Sequence, residues 1–170
     1  MDQDMLVLGI SIVALLISLL TFFLYNQKRK KPEQDTSSYN IRPLQLQAYE
    51  RLVMLAERIS LPNLISRVNQ AQPGFSAKEM QLFLLENIKQ EYEYNASQQI
   101  YVSPLAWEAL RNLKDQNMLV INQVASTLPN DASGFELNKR LLEFVMTQKK
   151  GAIHEIVLEA LNYEAKKLMK

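Results

Sequence analysis

Residues 76–97, SAKEMQLFLLENIKQEYEYNAS, hold a helix start and a helix period in one stretch. Ser76-Ala-Lys-Glu79 is a capping box: the serine hydroxyl and the glutamate carboxylate can each take a backbone N–H that the first helical turn leaves without a partner. Behind it, Met80, Phe83, Leu84, Ile88, Tyr92 and Ala96 recur at three- and four-residue spacing, which is one helix face. Leu82 and Leu85 widen that face, so the start of the helix is expected to be buried on more than one side.

The chain on either side has the same grammar. Downstream, Ile100-Tyr101-Val102 is β-branched and aromatic and reads as a short extended link. Ser103-Pro104 restarts a helix with a cap and a first-turn proline. Ala106, Leu110, Leu113, Val120, Ile121, Val124 and Leu128 carry that helix to Pro129, with Asn117 on its apolar face as a buried polar contact or a loosened turn. Ser133-Gly-Phe-Glu136 is a second capping box, and Glu136 stands four residues before Arg140, the favourable direction for a helical ion pair. That helix is expected to reach Lys149-Lys150, with Gly151 as a stop or hinge. In the last segment Ile153, Ile156, Val157, Ala160, Leu161 and Leu168 form the expected core face, opposite Glu155, Glu159, Asn162 and Lys166.

Upstream, Pro73-Gly74 breaks the chain. Pro43 opens a helix whose face is Tyr49, Leu52, Val53, Ala56 and Ile59. Ser60 can cap a short second helix that tolerates Pro62 in its first turn and turns Leu64, Ile65 and Val68 to the core. Caps, prolines and glycines all fall between periodic segments, so independent signals agree on an all-α fold.

Residues 5–25, MLVLGISIVALLISLLTFFLY, are apolar and uncharged and are followed by Lys28-Arg29-Lys30-Lys31. At about 1.5 Å per residue the run is roughly 30 Å long, the thickness of a bilayer's hydrocarbon core. Only Asp2 and Asp4 precede it, so the cations place the N-terminus outside and the rest of the chain in the cytoplasm. The expected organisation is an outer tail (1–4), a transmembrane anchor (5–25), a basic juxtamembrane segment and linker (26–42) and a cytoplasmic bundle of five or six helices (43–170). Lys28, Arg29, Lys30 and Lys31 are topology and lipid-contact residues, with affinity for anionic headgroups. Ser11, Ala14, Ser18 and Thr21 place small side chains on one face of the span, where another helix can pack closely; self-association or docking to a membrane subunit is the expectation.

Composition narrows the chemistry. The chain has no cysteine, which excludes thiol catalysis, disulfides and cysteine metal sites. Without the tetrabasic run and the two N-terminal aspartates, 15 Lys/Arg face 16 Asp/Glu, a balance of −1 that is not the excess expected of a nucleic-acid binder. His154 is a lone histidine and reads as a core-edge residue rather than a ligand. Glu91 and Glu93, two apart on a helix, read as a solvated face. No Walker, nucleophile-elbow or dinucleotide pattern occurs. Tyr92, Tyr94, Tyr101 and Trp107 read as an aromatic corner between helices, or as anchors for a partner if one ring faces outward.

LQLQAYERLVMLAERIS (44–60), QEYEYNASQQIYVSPLAWEAL (90–110) and STLPNDASG (126–134), with the N-terminal span, resemble a family of single-pass membrane proteins of unknown function from Bacteroidota. The most specific blocks are QAYERL and SQQIYVSPLAW. The resemblance implies a bacterial inner-membrane setting and transfers no catalytic residue. It directs attention to Gln47, Tyr49, Glu50, Arg51, Tyr101, Ser103 and Trp107, as an interaction site or as a polar contact between the first helix and the third-to-fourth junction.

The expected function is a membrane-anchored adaptor or accessory protein, not an enzyme, with no cofactor. Its partners would be the lipid bilayer, a membrane or cytoplasmic protein and a second copy of itself, with no nucleic acid. The alternatives are a catalytic or catalytic-accessory subunit with a site between helices, in which Tyr49, Glu50, Arg51 and Glu57 would converge, and a lipid- or nucleic-acid-binding module working through Lys28–Lys31.

Overall fold

The computed structural model describes residues 14–24, 40–69, 74–147 and 153–169. The chain divides into two units, 1–40 and 41–170, and the boundary falls inside the stretch read as a linker. In the first unit residues 14–24 form helix α1. Thr21 Oγ1 donates back to the carbonyls of Ile17 and Ser18 at 3.0 and 2.9 Å. Its Leu, Ile and Phe side chains are all exposed within this unit. Among the described residues no helix is long and apolar enough to cross a membrane; of the run 5–25, the described part is 14–24. Ser11 and Lys28–Lys31 lie outside the described residues.

The second unit is all helical among its described residues: α2 (Arg42–Ile59), α3 (Leu61–Asn69), α4 (Ala77–Tyr94), a 3-10 helix (Ala96–Ile100), α5 (Pro104–Ser126), α6 (Gly134–Thr147) and α7 (Ile153–Leu168). Helices α2, α4, α5 and α7 pack as a ring, each against the next, and α3 and α6 pack on each other and onto it. Leu52, Leu55 and Ile59 of α2, Leu84 and Ile88 of α4 and Leu110 and Leu113 of α5 are among the largest fully buried side chains.

Helix ends follow the local chemistry of the sequence. The first capping box forms in full: Glu79 N donates to Ser76 Oγ at 3.3 Å and Ser76 N donates to Glu79 Oε2 at 2.9 Å. Ser76 Oγ also donates to Glu79 Oε2 at 2.7 Å, and this bond, with the one from Ser76 N, holds the Glu79 carboxylate below the usual carboxylate range. Ser103 caps α5 by accepting Ala106 N at 3.0 Å, and Pro43 and Pro104 sit in first turns. In the second capping box Glu136 N donates to Ser133 Oγ at 3.2 Å.

Tertiary structure adds a link between the two boxes. Ser76 and Ser133 form an isolated antiparallel bridge, with Ala77 N on Ala132 O at 2.8 Å and Gly134 N on Phe75 O at 2.7 Å. The starts of α4 and α6 are thereby joined backbone to backbone.

Several expectations need correction. Helix α4 stops at Tyr94 rather than near Ser97, and Ala96–Ile100 is a 3-10 helix where an extended link was expected to begin at Ile100; Tyr101 N donates to Gln98 O and continues the turn. The β-branched pair around Tyr101 has no strand to join, so local turn bonding wins. Leu82 does not widen the core face and is exposed, whereas Leu85 packs on the core. Ser60 does not cap α3 through its hydroxyl; its Oγ donates to Glu57 O at 2.8 Å and closes the end of α2. Arg140 pairs with Glu143 rather than Glu136, at 3.8 Å. On α7 the inward face is Val157, Leu158, Leu161, Ala165 and Leu168, while Ile153, Ile156 and Ala160 are exposed. Pro73, Lys149, Lys150 and Gly151 lie outside the described residues.

Gly134 is where the bridge is tightest: an added Cβ would stand 2.9 Å from Phe75 O and 3.0 Å from Met80 Cβ. Gly134→Ala therefore costs about 1–3 kcal/mol of stability through overpacking against backbone. Gly74→Ala, whose Cβ meets nothing within 4 Å, should stay within about 1 kcal/mol of the parent. Urea unfolding followed by circular dichroism compares the two.

Candidate functional site

Tyr49 lies on the buried face of α2, 4 % exposed. Its hydroxyl donates to Glu164 Oε2 of α7 at 2.5 Å and accepts Ser103 N at 3.2 Å. Ser103 Oγ donates to the same Glu164 oxygen at 2.6 Å. Three helices meet at one carboxylate, and both hydroxyl protons are committed to it. Burial, and then the Glu164 carboxylate that accepts its proton, push the Tyr49 phenol above its ordinary value. Ser103 Oγ is also occupied as the α5 cap, so this group clasps the fold and presents no free nucleophile.

The end of α2 is a second polar junction. Glu57 O accepts Ser60 Oγ and, at 3.0 Å, Asn63 Nδ2; Ile59 O accepts Asn117 Nδ2 at 2.8 Å. Side chains thus satisfy carbonyls that a buried helix end would leave without partners, and Asn117 makes a polar contact there, part-buried rather than buried. Beside this end, His154 Nε2 of α7 stands 3.3 Å from Glu57 Oε2, at a cavity of about 360 Å³ bordered by Asn117, Val120 and Phe144. Among the described residues no three His, Asp or Glu side chains come together to hold a metal ion.

A third feature faces outward. Glu91 of α4 is not part of a solvated face: its side chain is 16 % exposed and its Oε1 takes Arg58 of α2 at 2.5 Å and Arg67 of α3 at 3.4 Å. The Glu91 hydrogen bond raises the Arg58 guanidinium above its ordinary value. Next to this clamp, between α2 and α4, runs a groove of about 590 Å³ bordered by Arg51, Met54, Arg58, Gln90 and Tyr94. Met54 is 60 % and Tyr94 77 % exposed there.

The structure brings Tyr49 and Ser103 together and separates the rest of the sequence-derived set. Gln47, Glu50 and Arg51 are exposed, Gln47 and Arg51 on the side of α2 opposite Tyr49, with Arg51 at the groove. Glu57 belongs with His154, so Tyr49, Glu50, Arg51 and Glu57 do not share a pocket. Trp107 is partly buried against Tyr92, ring centroids 5.1 Å apart, and Lys114 Nζ lies 4.7 Å from the Tyr92 centroid. Those rings form a corner; Tyr101 is half-buried and Tyr94 is the ring that faces out. Glu164 was not among the residues singled out. Its signal was a carboxylate on the Val157–Leu161–Leu168 stripe, a polar residue at a core register.

The geometry defines a class: an all-α bundle with a part-buried Tyr–Ser–Glu clasp and an open, partly apolar groove. Residues 3–168 match a family of unknown function, DUF7935, and the chain belongs to that family. No curated protein matches the chain. No solved structure matches it.

The clasp predicts a pH signature. Tyr49→Phe removes the phenol's two hydrogen bonds and costs about 1.5–3 kcal/mol near neutral pH. Because the folded phenol titrates above its ordinary value of 10.0, its contribution is complete below pH 10.0 and fades as pH rises through the folded value. Urea midpoints of the parent and Tyr49→Phe should therefore differ at pH 7 and converge above pH 10.0.

Proposed function

We propose that this protein is a membrane-anchored helical adaptor whose α2–α4 groove docks a partner protein at the cytoplasmic face of a bacterial inner membrane. The observation that carries the reading is the groove itself. Met54 and Tyr94, both exposed, border the groove with Arg51, beside the Glu91–Arg58 and Glu91–Arg67 pairs. Aromatic, methionine and arginine side chains are the usual anchors of protein interfaces.

The anchoring half rests on the apolar run 5–25 and the cations 28–31, read as a single-pass span with the N-terminus outside. The resemblance to single-pass proteins of Bacteroidota points the same way. Tethering would hold the groove beside the membrane and raise its effective concentration for partners there. The dispersal of Tyr49, Glu50, Arg51 and Glu57 favours the adaptor over a catalytic subunit.

The full-length tagged chain, cross-linked in cells and isolated in mild detergent, should recover one abundant complex. Replacing Arg51, Met54 and Tyr94 together by alanine should reduce that recovery at least ten-fold with helicity unchanged. Recovery of the chain alone, or of the same complex by the triple variant, overturns the docking site. Alkaline carbonate should leave the chain in the membrane pellet; release would remove the anchor. Loss of membrane retention only when Lys28–Lys31 are neutralised would instead favour a lipid-headgroup module.

A further inference from the structure

Helix α7 carries two apolar stripes. Val157, Leu158, Leu161, Ala165 and Leu168 face the core. About a third of a turn away lie Ile153, Ile156, Ala160 and Tyr163, at spacings of three, four and three, and all four are exposed. Ile156 is 58 % and Tyr163 62 % exposed, and Lys167 Nζ extends the stripe by lying 4.2 Å from the Tyr163 centroid. Exposed apolar residues at this spacing form a seam that another helix can cover.

The charges beside the seam identify what covers it. At about 100° per residue, Glu155, Glu159 and Lys166 fall within about 40° of one another, on a single flank. The acids stand in the N-terminal half and the cation in the C-terminal half; all three are exposed. A parallel neighbour would set this flank against the core-facing side of its mate. An antiparallel copy related by a two-fold axis sets the flank against itself, so that Glu155 meets Lys166 of the other copy. The same operation, centred on Ala160, brings Ile156 to within one residue's rise, about 1.5 Å, of the level of Tyr163 and puts the smallest side chain of the seam at the point of closest helix approach. Near the axis Glu159 faces Glu159 of the other copy, and a Glu155–Lys166 pair of opposite charge lies on either side of that contact.

We infer that α7 is a homodimer interface, pairing antiparallel with α7 of a second copy about an axis at Ala160. This pairing is independent of the groove and of the anchor. It needs neither small residues in the apolar span nor a second protein.

The chain has no cysteine, so Ala160→Cys introduces a single thiol at the axis. Full-length Ala160→Cys, in native membranes or detergent, treated with copper phenanthroline as oxidant, should give a disulfide-linked dimer at least ten-fold more readily than Lys139→Cys on α6. Adding Ile156→Asp should abolish that product while circular dichroism stays unchanged. Lys166→Glu should lower it several-fold, and combining Lys166→Glu with Glu155→Lys should restore it. Equal cross-linking at Ala160 and Lys139, indifference to Ile156→Asp, failure of the charge exchange to restore, or a cross-link to a different protein would each overturn the pairing. Failure of groove docking would leave these products unchanged, so the two readings fail separately.

Discussion

The half-buried carboxylate of Glu164 is the constraint on which the arrangement of α2, α5 and α7 depends. Removing a carboxylate from water is costly unless hydrogen bonds replace its hydration. Here Tyr49 and Ser103 supply two hydroxyl protons to one oxygen, from positions 115 and 61 residues away. Each donor is held by something else as well: Tyr49 by its place on the packed face of α2, Ser103 by its duty as the cap of α5. A rotation of any one helix would leave the carboxylate short of a partner, so the clasp selects the mutual register of three helices in a way that leucine packing alone does not.

Around that point the fold closes its remaining backbone accounts locally. The C-terminal carbonyls of α2 are taken by Ser60, Asn63 and Asn117, which lets the chain turn into α3 without burying bare acceptors. The first turns of α4 and α6 are tied through the Ser76–Ser133 bridge, and that bridge leaves no room for a side chain at Gly134. Glu91 holds Arg58 and Arg67 together beside the groove.

Helix α7 shows the same economy. One stripe builds the core and carries Glu164; the other stays bare with its own pattern of charge. A helix that is apolar on two sides belongs between two surfaces, and within one described unit α7 meets only one of them.

What the sequence determined by itself is local. Capping serines, first-turn prolines and the three-and-four spacing of apolar residues act over a few residues, so the helices and most of their starts were legible without any fold. The inward positions of α2, α3 and α5 were legible for the same reason, because each has a single apolar stripe. Only tertiary structure could decide which stripe of α7 turns inward, since both satisfy the period and one of them packs on α2 and α5, where Glu164 also reaches Tyr49 and Ser103. It also decided that Glu91 is a clamp rather than a solvated residue, and that Tyr49 and Arg51, two positions apart, serve opposite faces. Hydrogen-bond partners a hundred residues distant leave no mark in local spacing, and neighbours in sequence on a helix are not neighbours in space.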